Sequence, residues 1–148
     1  TGGIVPGAIP SVESVANFIS VCAQHQIAFK ATAGLHHPIR SSHPLTYAPD
    51  APRDVMHGFL NLFIAVTAAY CGTTDVHELI TILRTENSSD FQVESHGIRW
   101  RERSWTVDQI FDSRYDLGSS FGSCSFVEPV QDLQALGWLP PSDESFSE

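Results

Sequence analysis

Apolar residues recur three and four apart at Val12, Val15, Ala16, Ile19, Cys22 and Ala23, a spacing that predicts an amphipathic helix. Ser11, following Pro10, supplies its N-cap, Glu13 suits its first turn, and the helix is expected to end near Gln24 or His25. Residues 27–33 then read as a short strand stopped by Gly34. A long connection follows over residues 35–53, broken by Pro38, Pro44, Pro49 and Pro52; connections of that length usually carry function. Residues 54–71 are apolar nearly all round, which predicts a buried helix closed by Gly72. Asp75 and Glu78 have capping-box spacing for a helix to about Leu83, and Thr106 and Gln109 repeat it for one to about Tyr115. Between them, residues 91–94 and 98–101 form a small hairpin around His96 and Gly97. Residues 120–126 read as a second buried strand, and a last helix runs from about Pro129 to Leu136.

Helices alternating with short strands predict an α/β domain with parallel pairing, a partial (β/α) barrel-like arrangement with few parallel strands, a small hairpin and several helices. One domain is expected over residues 1–139, with a disordered acidic tail over 140–148. Two core strands are few for so many helices, so further strands are expected upstream or in a partner. The opening Thr1-Gly2-Gly3, without an initiator methionine, fits that expectation.

Composition narrows the partners. Seventeen acidic residues against eight basic ones give a formal charge of -9, which argues against nucleic acid and anionic membranes. The arginines between Arg84 and Arg114 are interleaved with acids and read as a mixed-charge surface. Three cysteines, Cys22, Cys71 and Cys124, form no CxxC and no paired framework, which fits a reducing compartment. No apolar run is long enough for a membrane span and no signal-peptide layout opens the chain, so the expectation is a soluble, cytoplasmic protein.

The succession Thr1-Gly2-Gly3, then FKATAGLHHP, HGFLN and FGSCSFVEPVQDLQALG, resembles a family of uncharacterised bacterial (β/α)-barrel-like proteins. The resemblance covers Thr1 to about Leu139 and is carried by the FKATAGLHHP and FGSCSF stretches. It implies a barrel-type architecture, with additional βα units before this segment in the longer members, and no particular reaction.

In the strand over 27–33, Ile27, Phe29, Ala31 and Ala33 share one face, and Ala28, Lys30 and Thr32 the other. If the second face points into a barrel, Lys30 becomes a Schiff-base lysine or a point charge for an anion; the alternative is a lysine paired with a carboxylate or snorkelling from an edge. His36 and His37 follow that strand, with Arg40 and His43 beyond. Neighbouring residues of an extended chain point apart, so the two histidines suit acid–base work better than joint metal binding. His57, placed one helical turn after Asp54 at the start of the expected buried helix, is either a proton carrier or a buried histidine bonded to Asp54. Gly2-Gly3 and Gly122-Ser123-Cys124-Ser125 are candidate anion cradles, although neither matches a Walker or dinucleotide fingerprint, and no cofactor or metal is expected. Cys124 reads either as a nucleophile near a helix start or as a small apolar residue.

These residues suggest a site for a small anionic or phosphorylated carbonyl metabolite, of lyase or aldolase type. Lys30, His36 and His57 would be catalytic, and Arg40, Thr32, Gly122, Ser123 and Ser125 would bind substrate. The alternative is a non-enzymatic α/β scaffold that self-associates, with a homodimer as its natural form.

Overall fold

The chain from Val12 to Gln24 forms α1, with the Ser11 side chain accepting a hydrogen bond from the Ser14 amide. Its buried stripe is the one the spacing predicts, down to Cys22. The computed structural model describes residues 5 and 7–141; the Gly2-Gly3 segment and the tail beyond Pro141 lie outside them.

Strand β1 is short, Phe29–Ala31, because Ala33 and Gly34 both adopt positive φ, at 66° and 71°, and turn the chain away. Where a bare loop was expected, the chain forms an antiparallel hairpin of β2 (Ser41–Pro44) and β3 (Arg53–Met56), with His43 opposite Asp54 and Pro44 opposite Arg53. This overturns a helix start at Asp54: helix α2 begins later, at Phe59–Tyr70, with Gly58 at its N-cap. An all-apolar segment gives no periodicity by which to locate its first turn, and the pairing that holds Asp54 comes from residues eleven earlier in the chain.

Helix α3 (Val76–Arg84) starts at Asp75 as expected. The hairpin is built of β4 (Phe91–Glu94) and β5 (Gly97–Trp100), and β6 (Arg103–Thr106) adds a third antiparallel strand that the pattern did not reveal. Thr106 and Gln109 form both bonds of a capping box at the start of α4 (Val107–Asp116). Strand β7 (Gly118–Phe121) pairs in parallel with β1, and α5 (Val127–Ala135) follows. The architecture is therefore mixed α/β, with one parallel strand pair, two small antiparallel sheets and five helices among the described residues. None of these sheets is closed. No helix among them is long and apolar enough to cross a membrane.

Helix α2 is the centre of the core. Residues Leu62, Ile64, Ala65 and Val66 are almost wholly buried, and Phe59 and Phe63 pack on Phe121 of β7. Each fully buried aliphatic or aromatic side chain contributes roughly 1.5–3 kcal/mol. The two polar residues that interrupt this helix are both used. Thr67 bonds the Phe63 carbonyl and meets Ser113 of α4 at 2.8 Å. Asn61 donates to the Ile82 and Thr85 carbonyls at 2.9 and 2.8 Å and accepts from the Arg40 amide at 2.9 Å.

Replacing Asn61 by Leu keeps the branched shape but leaves the Arg40 N–H and the Thr85 carbonyl without this partner in the core. The expected cost is about 2–6 kcal/mol, at roughly 1–3 kcal/mol for each orphaned group. A urea midpoint unchanged from the parent protein would show that Asn61 is dispensable.

Candidate functional site

The loop between β1 and β2 is fixed from both sides. On one side, the first amides of α2 donate to it, Phe59 N–H to the His37 carbonyl at 3.0 Å and Leu60 N–H to the Pro38 carbonyl at 2.9 Å. These are donors that a helix N-terminus must satisfy outside the helix. On the other side, the loop's two histidines reach α5: His36 Nδ1 lies 3.1 Å from Glu128 Oε2, and His37 Nδ1 lies 2.6 Å from Asp132 Oδ2. Glu128 and Asp132 are four residues apart and so share one face of α5. Their separation along the helix, about 5–6 Å for one turn, matches the 6.3 Å between the two imidazole rings.

Cys124 lies just ahead of α5, its Sγ 3.5 Å from His36 Nε2 and 3.8 Å from Nδ1, so the thiol sits alongside the imidazole ring. The surrounding hydrogen bonds assign the imidazole tautomer. Ser123 Oγ donates to the Ser125 carbonyl at 2.8 Å, so its lone pairs face His36 Nδ1 at 3.1 Å and the Ser125 amide at 3.2 Å. With Glu128 also beside it, Nδ1 carries the proton in the neutral ring, and Nε2 is left as the basic nitrogen of a ring that the thiol lies alongside. Ser125 Oγ, one residue before the Phe126 N-cap, in turn accepts from the Glu128 amide at 3.1 Å and so satisfies one of the first amides of α5. The result is a thiol–imidazole–carboxylate contact of the kind that activates a nucleophile.

This contact opens on a cavity of about 530 Å³, lined by His36, Cys124 and Glu128 and by the β2–β3 hairpin with its connection, including Tyr47 and Arg53. The Tyr47 phenol is pushed up from its ordinary value, by desolvation first and then by the neighbouring Glu128 carboxylate and Cys124 thiol. His43 also faces the cavity, stacked on His37 with ring centroids 3.3 Å apart and bonded to Ser41 Oγ at 2.6 Å. Burial, with the charge of His37 next, holds its imidazole below the usual value.

Of the residues singled out from sequence, His36, Ser123 and Ser125 come together, joined by Cys124. The serines position His36 and α5, and the backbone cradle expected at residues 122–125 is largely spent: the Gly122 amide donates to the Ala31 carbonyl and the Ser125 amide to Ser123. Lys30 does not point into a barrel. It is exposed, and with Thr32 it lines a separate, mostly apolar cleft of about 310 Å³ beside α1. Arg40 pairs with Glu86 at 3.5 Å and does not line the histidine cavity. His57 stands apart from the cavity, 1% exposed, donating through Nε2 to the Pro10 carbonyl at 2.8 Å and not bonded to Asp54. Sequence reasoning missed Glu128, Asp132 and Arg53 as site residues. The four-residue spacing of the two acids on a helix was the one signal available, and it gains meaning only beside the adjacent pair His36-His37.

Among the described residues, no group of three or more His, Cys, Asp or Glu side chains is arranged to hold a metal ion. The fold and site thus define a mixed α/β chain with a cysteine–histidine–glutamate contact at the mouth of a loop-walled cavity. No protein-family model matches the chain, nor does any curated protein or solved structure.

His57 gives the chain an acid limit. Burial, the largest cause, holds its imidazole below the ordinary value, against the raising effect of the Pro10 hydrogen bond. The unfolded chain therefore binds more protons than the folded one below an imidazole pKa of about 6.5. Stability is full above that pH and falls as the pH drops through it, and the downward shift of His43 adds in the same direction. Urea midpoints compared at pH 7.5 and about pH 5 are expected to show this loss. His57→Gln, which retains an N–H donor for Pro10, should reduce it.

Proposed function

We propose that the chain carries a cysteine-nucleophile site for acyl transfer or hydrolysis, with Cys124 as nucleophile, His36 as general base and Glu128 as the group that orients the imidazole. The observation that carries the reading is the continuous contact from Sγ to Nε2 and from Nδ1 to the carboxylate, open to a cavity of ligand size. A carbonyl compound remains the substrate class suggested by the sequence, but the covalent group becomes the thiol and not the Lys30 amine.

The chemistry follows from the tautomer. His36 Nε2 takes the thiol proton as Sγ bonds to the carbonyl carbon, and the carbonyl π pair moves to oxygen. When the tetrahedral intermediate collapses, the bond to the leaving group breaks and the imidazolium returns the proton to that group. Water, deprotonated by the same nitrogen, then attacks the thioester, releasing the acid and restoring the thiol.

Cys71 provides an internal reference, being exposed yet with its thiol pushed up by partial burial. With iodoacetamide at pH 7, Cys124 is expected to be alkylated about tenfold or more faster than Cys71, as befits a base-activated thiol. His36→Ala should remove most of that advantage and Glu128→Gln part of it, both read by peptide mass spectrometry. Equal rates at the two cysteines in the parent protein would end the proposal. The self-associating alternative draws instead on Val107, Phe111 and Tyr115, an exposed stripe along α4, and needs no thiol contact. A dimer in sedimentation that Phe111→Asp dissolves, with Cys124 no faster than Cys71, would favour it.

A further inference from the structure

The cavity beside Cys124 is lined by an arginine that has no counter-ion among the described residues. Arg53, exposed at the start of β3 opposite Pro44, lines the same cavity as Cys124. One terminal nitrogen donates to the Ser42 carbonyl at 2.6 Å, which ties the group to the hairpin and leaves its other donors unassigned. Every other described arginine is engaged: Arg40, Arg84, Arg99, Arg101 and Arg103 by a carboxylate, and Arg114 by two backbone carbonyls and the Phe63 ring. Arg53 has no carboxylate within ion-pair distance among the described residues, although Glu128 and Asp132 stand nearby on α5. Those two acids are each held by a histidine. The cavity thus presents Arg53, the His37–His43 stack and the Cys124 thiol, on walls that mix polar groups, the histidine-held Glu128 among them, with apolar ones such as Leu45, Ala51 and Met56.

We propose that Arg53 selects the substrate, so that the cavity accepts small acyl compounds bearing a carboxylate in preference to their neutral counterparts. The planar guanidinium matches a carboxylate by paired N–H donors and keeps its charge at any working pH. Arg53 and Cys124 line the one cavity, so a small molecule whose carboxylate is held by Arg53 has its acyl carbon in the same space as the thiol. This inference rests on the thiol reading above and adds the specificity to it.

A pair of alkylating agents of nearly equal size separates the two claims. In both iodoacetate and iodoacetamide, Sγ bonds to the methylene carbon, iodide leaves with the electron pair of the C–I bond, and His36 takes the thiol proton. The reagents differ in that one carries a carboxylate and the other a neutral amide. The ratio of iodoacetate to iodoacetamide rates is expected to be about tenfold or more higher at Cys124 than at Cys71 of the same molecules, the worth of one charge-assisted hydrogen bond. Arg53→Gln should bring that ratio down to the Cys71 value, the ratio being taken between the two reagents at one thiol so that a change in its general reactivity cancels. Arg53→Lys should keep part of the preference. Succinate added to the unmodified protein should slow iodoacetamide at Cys124 and not at Cys71, a test that needs no variant to fold.

A fast Cys124 with the same reagent ratio as Cys71, or a ratio that survives Arg53→Gln, overturns the assignment of Arg53 and leaves the thiol site standing. A Cys124 no faster than Cys71 toward iodoacetamide overturns both.

Discussion

The amino end of α2 is the constraint on which the rest of the site depends. A helix buried on nearly every side cannot leave its first amides to water, so they must find carbonyl partners inside the protein. Here the partners are the carbonyls of His37 and Pro38, and Asn61 extends the grip by accepting from the Arg40 amide. The same Asn61 reaches the last turn of α3 and the Thr85 carbonyl, so the histidine loop is tied to two helices through one side chain. Gly58 is required by this closeness. A β-carbon there would fall on Asn61 Oδ1, the Pro38 carbonyl oxygen and the Arg40 amide. Burial of an apolar helix thereby becomes precise placement of two imidazoles.

Much of the fold could be read along the chain, for reasons that differ from element to element. Helix α1 was legible because its stripe and its Ser11 cap are local, and α4 because Thr106 and Gln109 state its start twice over. The β2–β3 hairpin was not legible: Ser41–Pro44 has no alternation of apolar residues, and its strand character comes from pairing with Arg53–Met56. Its connection over residues 45–52 carries two prolines and no glycine, so the short hairpin-turn signal is missing as well. Once the hairpin is absent from the reading, Asp54 and His57 fall into a helix they do not join. That one error moved His57 toward the active residues, when its ring in fact serves the Pro10 carbonyl before α1.

The site was legible in part for a similar reason. His36 and the Ser123–Ser125 segment carry unusual residue types at expected strand ends, and His36 and Cys124 line the cavity. What joins them is a contact across 88 residues between Cys124 and His36, with the β1–β7 pairing bringing the two loops together. No local pattern reports a parallel pairing between segments so far apart. Arg40 and Arg53 differ little in sequence context, each following an apolar or proline residue in a polar stretch. Position in the fold decides that one meets Glu86 and the other, on β3, lines the cavity.

Lys30, the chain's one lysine, has a physical explanation that does not depend on catalysis. Among the described residues β1 pairs only with β7, which leaves its second edge open. An open edge beside an apolar cleft invites another strand, and a charged side chain in the middle of a three-residue strand makes that addition costly. An ammonium there, flanked by Phe29 and Phe18 in edge-to-face contact, keeps a hydrated charge where pairing would bury it. Lys30 and Arg53 are thus distinguished by their surroundings and not by their charge: one guards an edge in water, and the other shares a cavity with the Cys124 thiol.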